Sequence, residues 1–119
     1  MADKSSGGRK TVASNRKARH EFEILDSMEA GLVLKGPEVK SIRNGKVSIT
    51  EAYARIQNNE VFIHGMNIAP YEQGTHYNHE PDRVRKLLLT RMEIRKLIGK
   101  TKESGLTLIP LRLYFDRCW

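Results

Sequence analysis

Residues 51–64, EAYARIQNNEVFIH, decide the fold. Ala52, Ala54 and Ile56 alternate with Tyr53 and Arg55, the period of two that sends successive side chains to opposite faces of a strand. Asn58-Asn59 interrupts the run and Val61 to His64 resumes it. Asparagine tolerates the left-handed backbone that a two-residue turn demands, so the stretch predicts an antiparallel hairpin and a β-rich core.

Toward the C-terminus, residues 70–84, PYEQGTHYNHEPDRV, carry no period and exceed a typical connection, which predicts a functional or mobile loop. A short apolar strand, Lys86 to Leu89, follows. Thr90-Arg91-Met92-Glu93 is a capping box, with Leu89 able to staple to Ile94 across it. It opens a helix from Arg91 to about Glu103, with an apolar stripe of Ile94, Leu97 and Ile98, and Gly105 closes it. Leu106 to Phe115 reads as a strand whose Pro110 predicts an edge position or a bulge.

Toward the N-terminus, Gly36-Pro37-Glu38 begins a short helix, since proline suits the first helical position and Glu38 meets the positive end of the helix dipole. Asn44-Gly45 stops it; Val39 and Ile42 face inward, Lys40 and Arg43 outward. Phe22 and Ile24 alternate with Glu21 and Glu23, and Leu32, Val33 and Leu34 follow, which predicts two strands joined by a turn near Asp26 to Met28. Residues 1–14, MADKSSGGRKTVAS, are too polar to offset the entropy of ordering and predict a flexible basic arm. Residues 15–119 are then one domain, as a length of 119 residues also argues.

The net charge is +7 and 39% of residues are apolar, so the chain is expected to fold and to attract a polyanion. The charge is segregated. Net values are +5 for residues 1–20, −4 for 21–80, +5 for 81–103 and +1 for 104–119. Two basic segments flanking an acidic middle favour nucleic acid over a uniformly solvated surface. One cysteine, Cys118, forms no internal disulfide, and neither a secretory signal nor a spanning helix is legible, so a cytoplasmic protein without a membrane partner is expected.

No motif predicts catalysis. Gly99-Lys100-Thr101 imitates the end of a phosphate-binding loop, but Ile94 stands where the upstream glycine belongs and the segment lies within a helix. His76 and His79, with Glu80 and Asp82 nearby, lack the third fixed ligand of a catalytic metal site. No G-x-S-x-G occurs. No metal and no cofactor are predicted. What remains is a basic and aromatic pattern: Asn15-Arg16-Lys17-Ala18-Arg19-His20, then Arg83, Arg85 and Lys86, with Tyr71 and Tyr77 between. Cations neutralise phosphates, rings stack on unpaired bases and asparagine reads a base edge, so the pattern predicts structured RNA as the partner.

Seven segments in order carry a resemblance to one family: NRKARHEF (15–22), EAG (29–31), GPEVKSIRNGKV (36–47), APYEQG (69–74), NHEPDRVRKLLL (78–89), LIGK (97–100) and GLTLIPLRLYF (105–115). The chain resembles the SmpB family, the small proteins that bind transfer-messenger RNA (tmRNA, also SsrA RNA) in bacteria. The resemblance implies a mainly β, α+β fold: an antiparallel β-barrel, closed or partly open, related to the OB fold and flanked by about three short helices. It implies binding of the tRNA-like domain of tmRNA and its delivery to stalled ribosomes for trans-translation, with the small ribosomal subunit and its RNA as further partners.

Carried over by position, Asn15, Glu29 and Leu88 fall where the family recognises tmRNA. Lys17 and His20 match its basic stretch, and Arg16, Arg19, Lys35, Lys40, Arg43, Arg83, Arg85 and Lys86 are expected to meet phosphates. Leu88 also fits a core strand. A carboxylate is unusual on an RNA surface, but Glu29 can accept hydrogen bonds from base amino groups or orient a neighbouring cation.

The family continues past the Tyr-Phe segment into another strand and a long basic tail, whereas Asp116-Arg117-Cys118-Trp119 is followed by nothing. The resemblance therefore implies RNA binding by a monomer without the decoding step. It also implies an open edge on the 106–115 strand, through which copies would associate. Two other readings stay open on the residues alone: an OB-type translation or ribosomal protein acting on other RNA, and an RNA-cleaving enzyme using His76 and His79.

Overall fold

The computed structural model describes residues 10–70 and 80–115. The 51–64 stretch forms the expected hairpin: β4 (Tyr53–Gln57) and β5 (Glu60–His64) pair antiparallel, from Tyr53 opposite His64 to Gln57 opposite Glu60. Asn58 (φ 52°) and Asn59 (φ 62°) both adopt left-handed backbone at the turn. Beyond β5, Gly65 has φ 75°, and a Cβ there would lie 2.7 Å from the Glu51 carbonyl oxygen, so only glycine fits.

In chain order the other elements are β1 (Lys10–Ser14), α1 (Arg16–Glu21), β2 (Gly31–Leu32), α2 (Gly36–Arg43), β3 (Val47–Ser48), β6 (Asn67–Ile68), β7 (Arg85–Leu88), α3 (Arg91–Ser104) and β8 (Arg112–Phe115). The sheets are all antiparallel: a four-stranded sheet in the order β2-β7-β5-β4, and the pairs β1-β8 and β3-β6. They share one core. Ile42, Ile49, Ala52, Ile63, Met66 and Ile68 are buried together, and Val12, Leu32, Val47, Leu87, Leu113 and Phe115 pack against them. Each of the three sheets and α2 contributes residues to this core.

The α+β class with antiparallel strands and three helices is as expected, but among the described residues the strands form three sheets and no closed barrel. Both forecast helices form. The Thr90 hydroxyl accepts from the Glu93 N–H, while the Glu93 carboxylate accepts from the Thr90 N–H, which completes the capping box of α3. In α2 the fully buried positions are Glu38, Ser41 and Ile42, and Val39 is only half-buried.

Three local expectations are corrected. Lys10–Ser14, assigned to a flexible arm, forms β1. Its polarity argued against order, but Val12 and Ala13 reach the core once β8 supplies an edge. Residues 23–30 are not strand, and residues 21–31 are all exposed. Alternation gives a period, but a strand also needs a neighbour, and β7 offers pairing only from Gly31 onward. The strand forecast over 106–115 is confined to Arg112–Phe115, with a single bridge from Leu108 to Ala54 before Pro110. Its expected open edge is taken on one side by β1.

Candidate nucleic-acid interface

Asn15 caps α1, a helix the sequence reading did not anticipate. Its Oδ1 accepts from the Ala18 N–H (3.1 Å), and its Nδ2 donates to the carbonyls of Pro110 (3.0 Å) and Ile49 (3.3 Å). Its own N–H donates to the Leu111 carbonyl at 2.9 Å. With 2% of its surface exposed, Asn15 spends its polar groups inside the protein and roots α1 on the core. The helix turns the small Ala18 inward and Arg16, Lys17, Arg19 and His20 outward. Arg19 and His20 lie in its last turn, where the helix dipole favours positive charge. Lys17 Nζ sits 3.3 Å from Glu51 Oε2, a surface pair that raises the lysine pKa through the Glu51 hydrogen bond.

On the four-stranded sheet, Leu88 stands opposite Gly31 at the β2–β7 pair. A Cβ on Gly31 would lie 3.2 Å from Leu88 Cβ and 3.3 Å from its Cδ1, so the bare glycine lets the leucine lie across it. Leu88 is 54% exposed and is not a core residue. Glu29, two positions before Gly31, is exposed and accepts a hydrogen bond from the Tyr114 hydroxyl on β8. The fold thus places Leu88 opposite Gly31, two residues after Glu29, and ties Glu29 to Tyr114. Asn15 directly follows β1, the strand paired with the β8 that carries Tyr114.

The second basic segment divides by depth. Lys86 is half-exposed, with Nζ 2.8 Å from Glu60 Oε2. Arg83 keeps a quarter of its side-chain surface and places Nη2 2.6 Å from Glu38 Oε1. Arg85, expected to meet phosphates, is fully buried. It donates to Glu38 Oε2 (Nε, 2.8 Å), to the Met66 carbonyl (2.7 Å) and to the Pro81 carbonyl (3.1 Å). Its charge is spent on folding because period two turns Arg85 and Leu87 to the core face of β7. Burial alone would push the Glu38 carboxyl up, but hydrogen bonds from Arg83, the Lys35 N–H and Arg85 outweigh it and hold the pKa near about 2. Lys35, Lys40 and Arg43 lie on and before α2, all exposed, with the Arg43 guanidinium 6.0 Å from the centre of the Phe115 ring.

Sequence reasoning missed an aromatic face beside α1. Tyr53 and His64, opposite each other on β4 and β5, stack with ring centres 5.4 Å apart and 10° between planes. Tyr53 and Phe22 line a hollow of about 200 Å³ with Lys17, Ala18 and Ala52. The signal was present in the alternation of residues 51–57, which already sets Tyr53 opposite Ala52. Tyr71, Tyr77, His76 and His79 lie outside the described residues. Among the described residues no group of three or more His, Cys, Asp or Glu is placed to hold a metal ion, and no helix is long and apolar enough to cross a membrane. The surface offers cationic side chains, the Tyr53–His64 stack, the exposed Glu29 carboxylate and the exposed Leu88, groups of the kinds that meet phosphates, bases and base edges.

Comparison with known proteins gives a consistent result. Residues 12–119 match the family model described as SmpB protein. The SsrA-binding protein of Salinispora tropica is 60% identical over 112 residues, covering 94% of this chain and 70% of the relative. That of Geobacillus thermodenitrificans is 58% identical over 108 residues, covering 91% and 70%. A chain in the solved structure "tmRNA-SmpB: a journey to the center of the bacterial ribosome" superposes with a TM-score of 0.72 at 47% identity, covering 94% of this chain and 76% of that one. With a family model spanning all but the first eleven residues and relatives at this identity, the chain belongs to the SmpB protein family.

Proposed function

We propose that this chain binds the tRNA-like domain of tmRNA in the bacterial cytoplasm and helps deliver it to stalled ribosomes for trans-translation. The observation that carries the reading is the exposure of Leu88 opposite Gly31, two residues after the exposed Glu29, which leaves both of these carried-over positions open to solvent. Arg16, Lys17 and Arg19 on α1, with Lys35, Lys40, Arg43, Arg83 and Lys86, supply cations for phosphates, and His20 adds an imidazole ring on the same helix. Asn15 and Arg85 act from within, by fixing α1 and β7. The three sheets wrapped on one core are a partly open version of an OB-like barrel, an architecture suited to nucleic acid. The activity is binding; the ribosome, as second partner, performs the chemistry.

Titration of the chain with a tRNA-like domain transcript tests this. Binding is expected to weaken with salt, log K falling by roughly 0.7 to 0.9 per phosphate contact per decade. Equal affinity for an unstructured RNA of the same length would refute it.

A further inference from the structure

We propose that Tyr114 is a positioning residue for RNA recognition, holding the Glu29 carboxylate in its binding orientation; this rests on the role given to Glu29 above. Strand β8 alternates. Leu113 and Phe115 pack against the core, so Arg112 and Tyr114 project from the opposite face. Pairing with β1 fixes the strand in place, with Tyr114 opposite Thr11. From that mount the Tyr114 hydroxyl donates to Oε2 of Glu29. The Arg112 guanidinium lies 5.1 Å from the centre of the tyrosine ring, a cation–π contact that braces it.

Residues 23–30 belong to no helix or strand and are exposed throughout, so the hydrogen bond from Tyr114 ties Glu29 to a paired strand. A glutamate ordered before RNA arrives avoids the entropy of being immobilised on binding, worth roughly 3- to 10-fold in affinity. A carboxylate offers about four acceptor sites, so a hydrogen bond from a phenol is compatible with donors on a base edge. Strand β8 is thereby coupled to RNA recognition although Glu29 lies far away in sequence.

The test measures Kd for the tRNA-like domain transcript with the full chain, Tyr114→Phe, Glu29→Ala and the double variant. Tyr114→Phe keeps the ring and removes only the donor. It is expected to weaken binding roughly 3- to 10-fold in the parent and less than about twofold in the Glu29→Ala background, with thermal unfolding and salt slope unchanged. No weakening in the parent, or equal weakening in both backgrounds, overturns the proposal while leaving the functional reading intact. An unchanged Kd for Glu29→Ala overturns it together with the role of Glu29. If the parent chain does not prefer the tRNA-like domain to an unstructured RNA, the functional reading itself fails.

Discussion

The carboxylate of Glu38 on α2 lies 2.6 Å from the guanidinium of Arg85 on β7, and both side chains are fully buried. Arg83 closes on the same carboxylate from the rim. One acidic group thus joins a helix to a strand 47 positions later in sequence, under the surface that carries Lys86 and Leu88. Removing Glu38 leaves Arg85 buried with only backbone carbonyls as partners, and removing Arg85 leaves Glu38 with Arg83 and the Lys35 N–H alone. Glu38→Gln and Arg85→Met are each expected to cost roughly 3 to 5 kcal/mol in urea unfolding. The double variant is expected to cost less than the sum of the two. Two small, additive losses would contradict this account.

The same carboxylate sets an acid limit. Its folded pKa, near about 2, lies below the ordinary value of 4.5. The stabilisation is therefore complete above the unfolded value and lost as pH falls from about 4.5 toward 2. On the order of 3 kcal/mol is expected to disappear across that window, as measured by denaturant titration at stepped pH. Glu38→Gln should flatten the dependence there, and an unaltered profile would exclude Glu38 as its source.

Asn15 and Arg16 are neighbours with opposite expected phenotypes. Asn15→Ala removes a helix cap and two buried hydrogen bonds, so it should cost roughly 1 to 3 kcal/mol of stability and lower RNA affinity through α1. Arg16→Ala should leave stability within about 0.5 kcal/mol and reduce the salt slope by roughly 0.7 to 0.9. Paired measurements of unfolding and of Kd against salt separate the two.

Leu88, half-exposed on a strand, tests whether an apolar group at this surface serves the ligand. Leu88→Ala is expected to change unfolding free energy by about 1 kcal/mol or less, because only about half of its surface leaves water on folding. Affinity for the tRNA-like domain should nevertheless fall by roughly 10-fold, the worth of burying such a side chain at an interface. A large stability loss with unchanged Kd would return Leu88 to a purely structural role.

Much of the fold was legible in local chemistry. The Asn58-Asn59 turn, the Thr90–Glu93 box and the Pro37 helix start each act over a few residues, and each appears where the sequence sets it. The basic character of Arg16 to His20 was equally plain, since charge needs no partner to be read. The depth of each candidate was not. Arg83, Arg85 and Lys86 are alike in composition, yet one is at the rim, one is buried and one is half-exposed.

By itself, then, the sequence determined the antiparallel hairpin, two of the three helices, the basic segments and the family. Periodicity, capping and charge are short-range properties of the chain. Only the tertiary structure decided that residues 10–14 are a strand, that Arg85 and Asn15 work inside the protein, and that Tyr114 meets Glu29. Those outcomes depend on contacts between residues 47 to 105 positions apart, such as Glu38 with Arg85, Tyr114 with Glu29, Asn15 with Pro110, and Lys10 with Phe115. Such contacts form when separate sheets close over one core, and no local pattern encodes which edges will find each other.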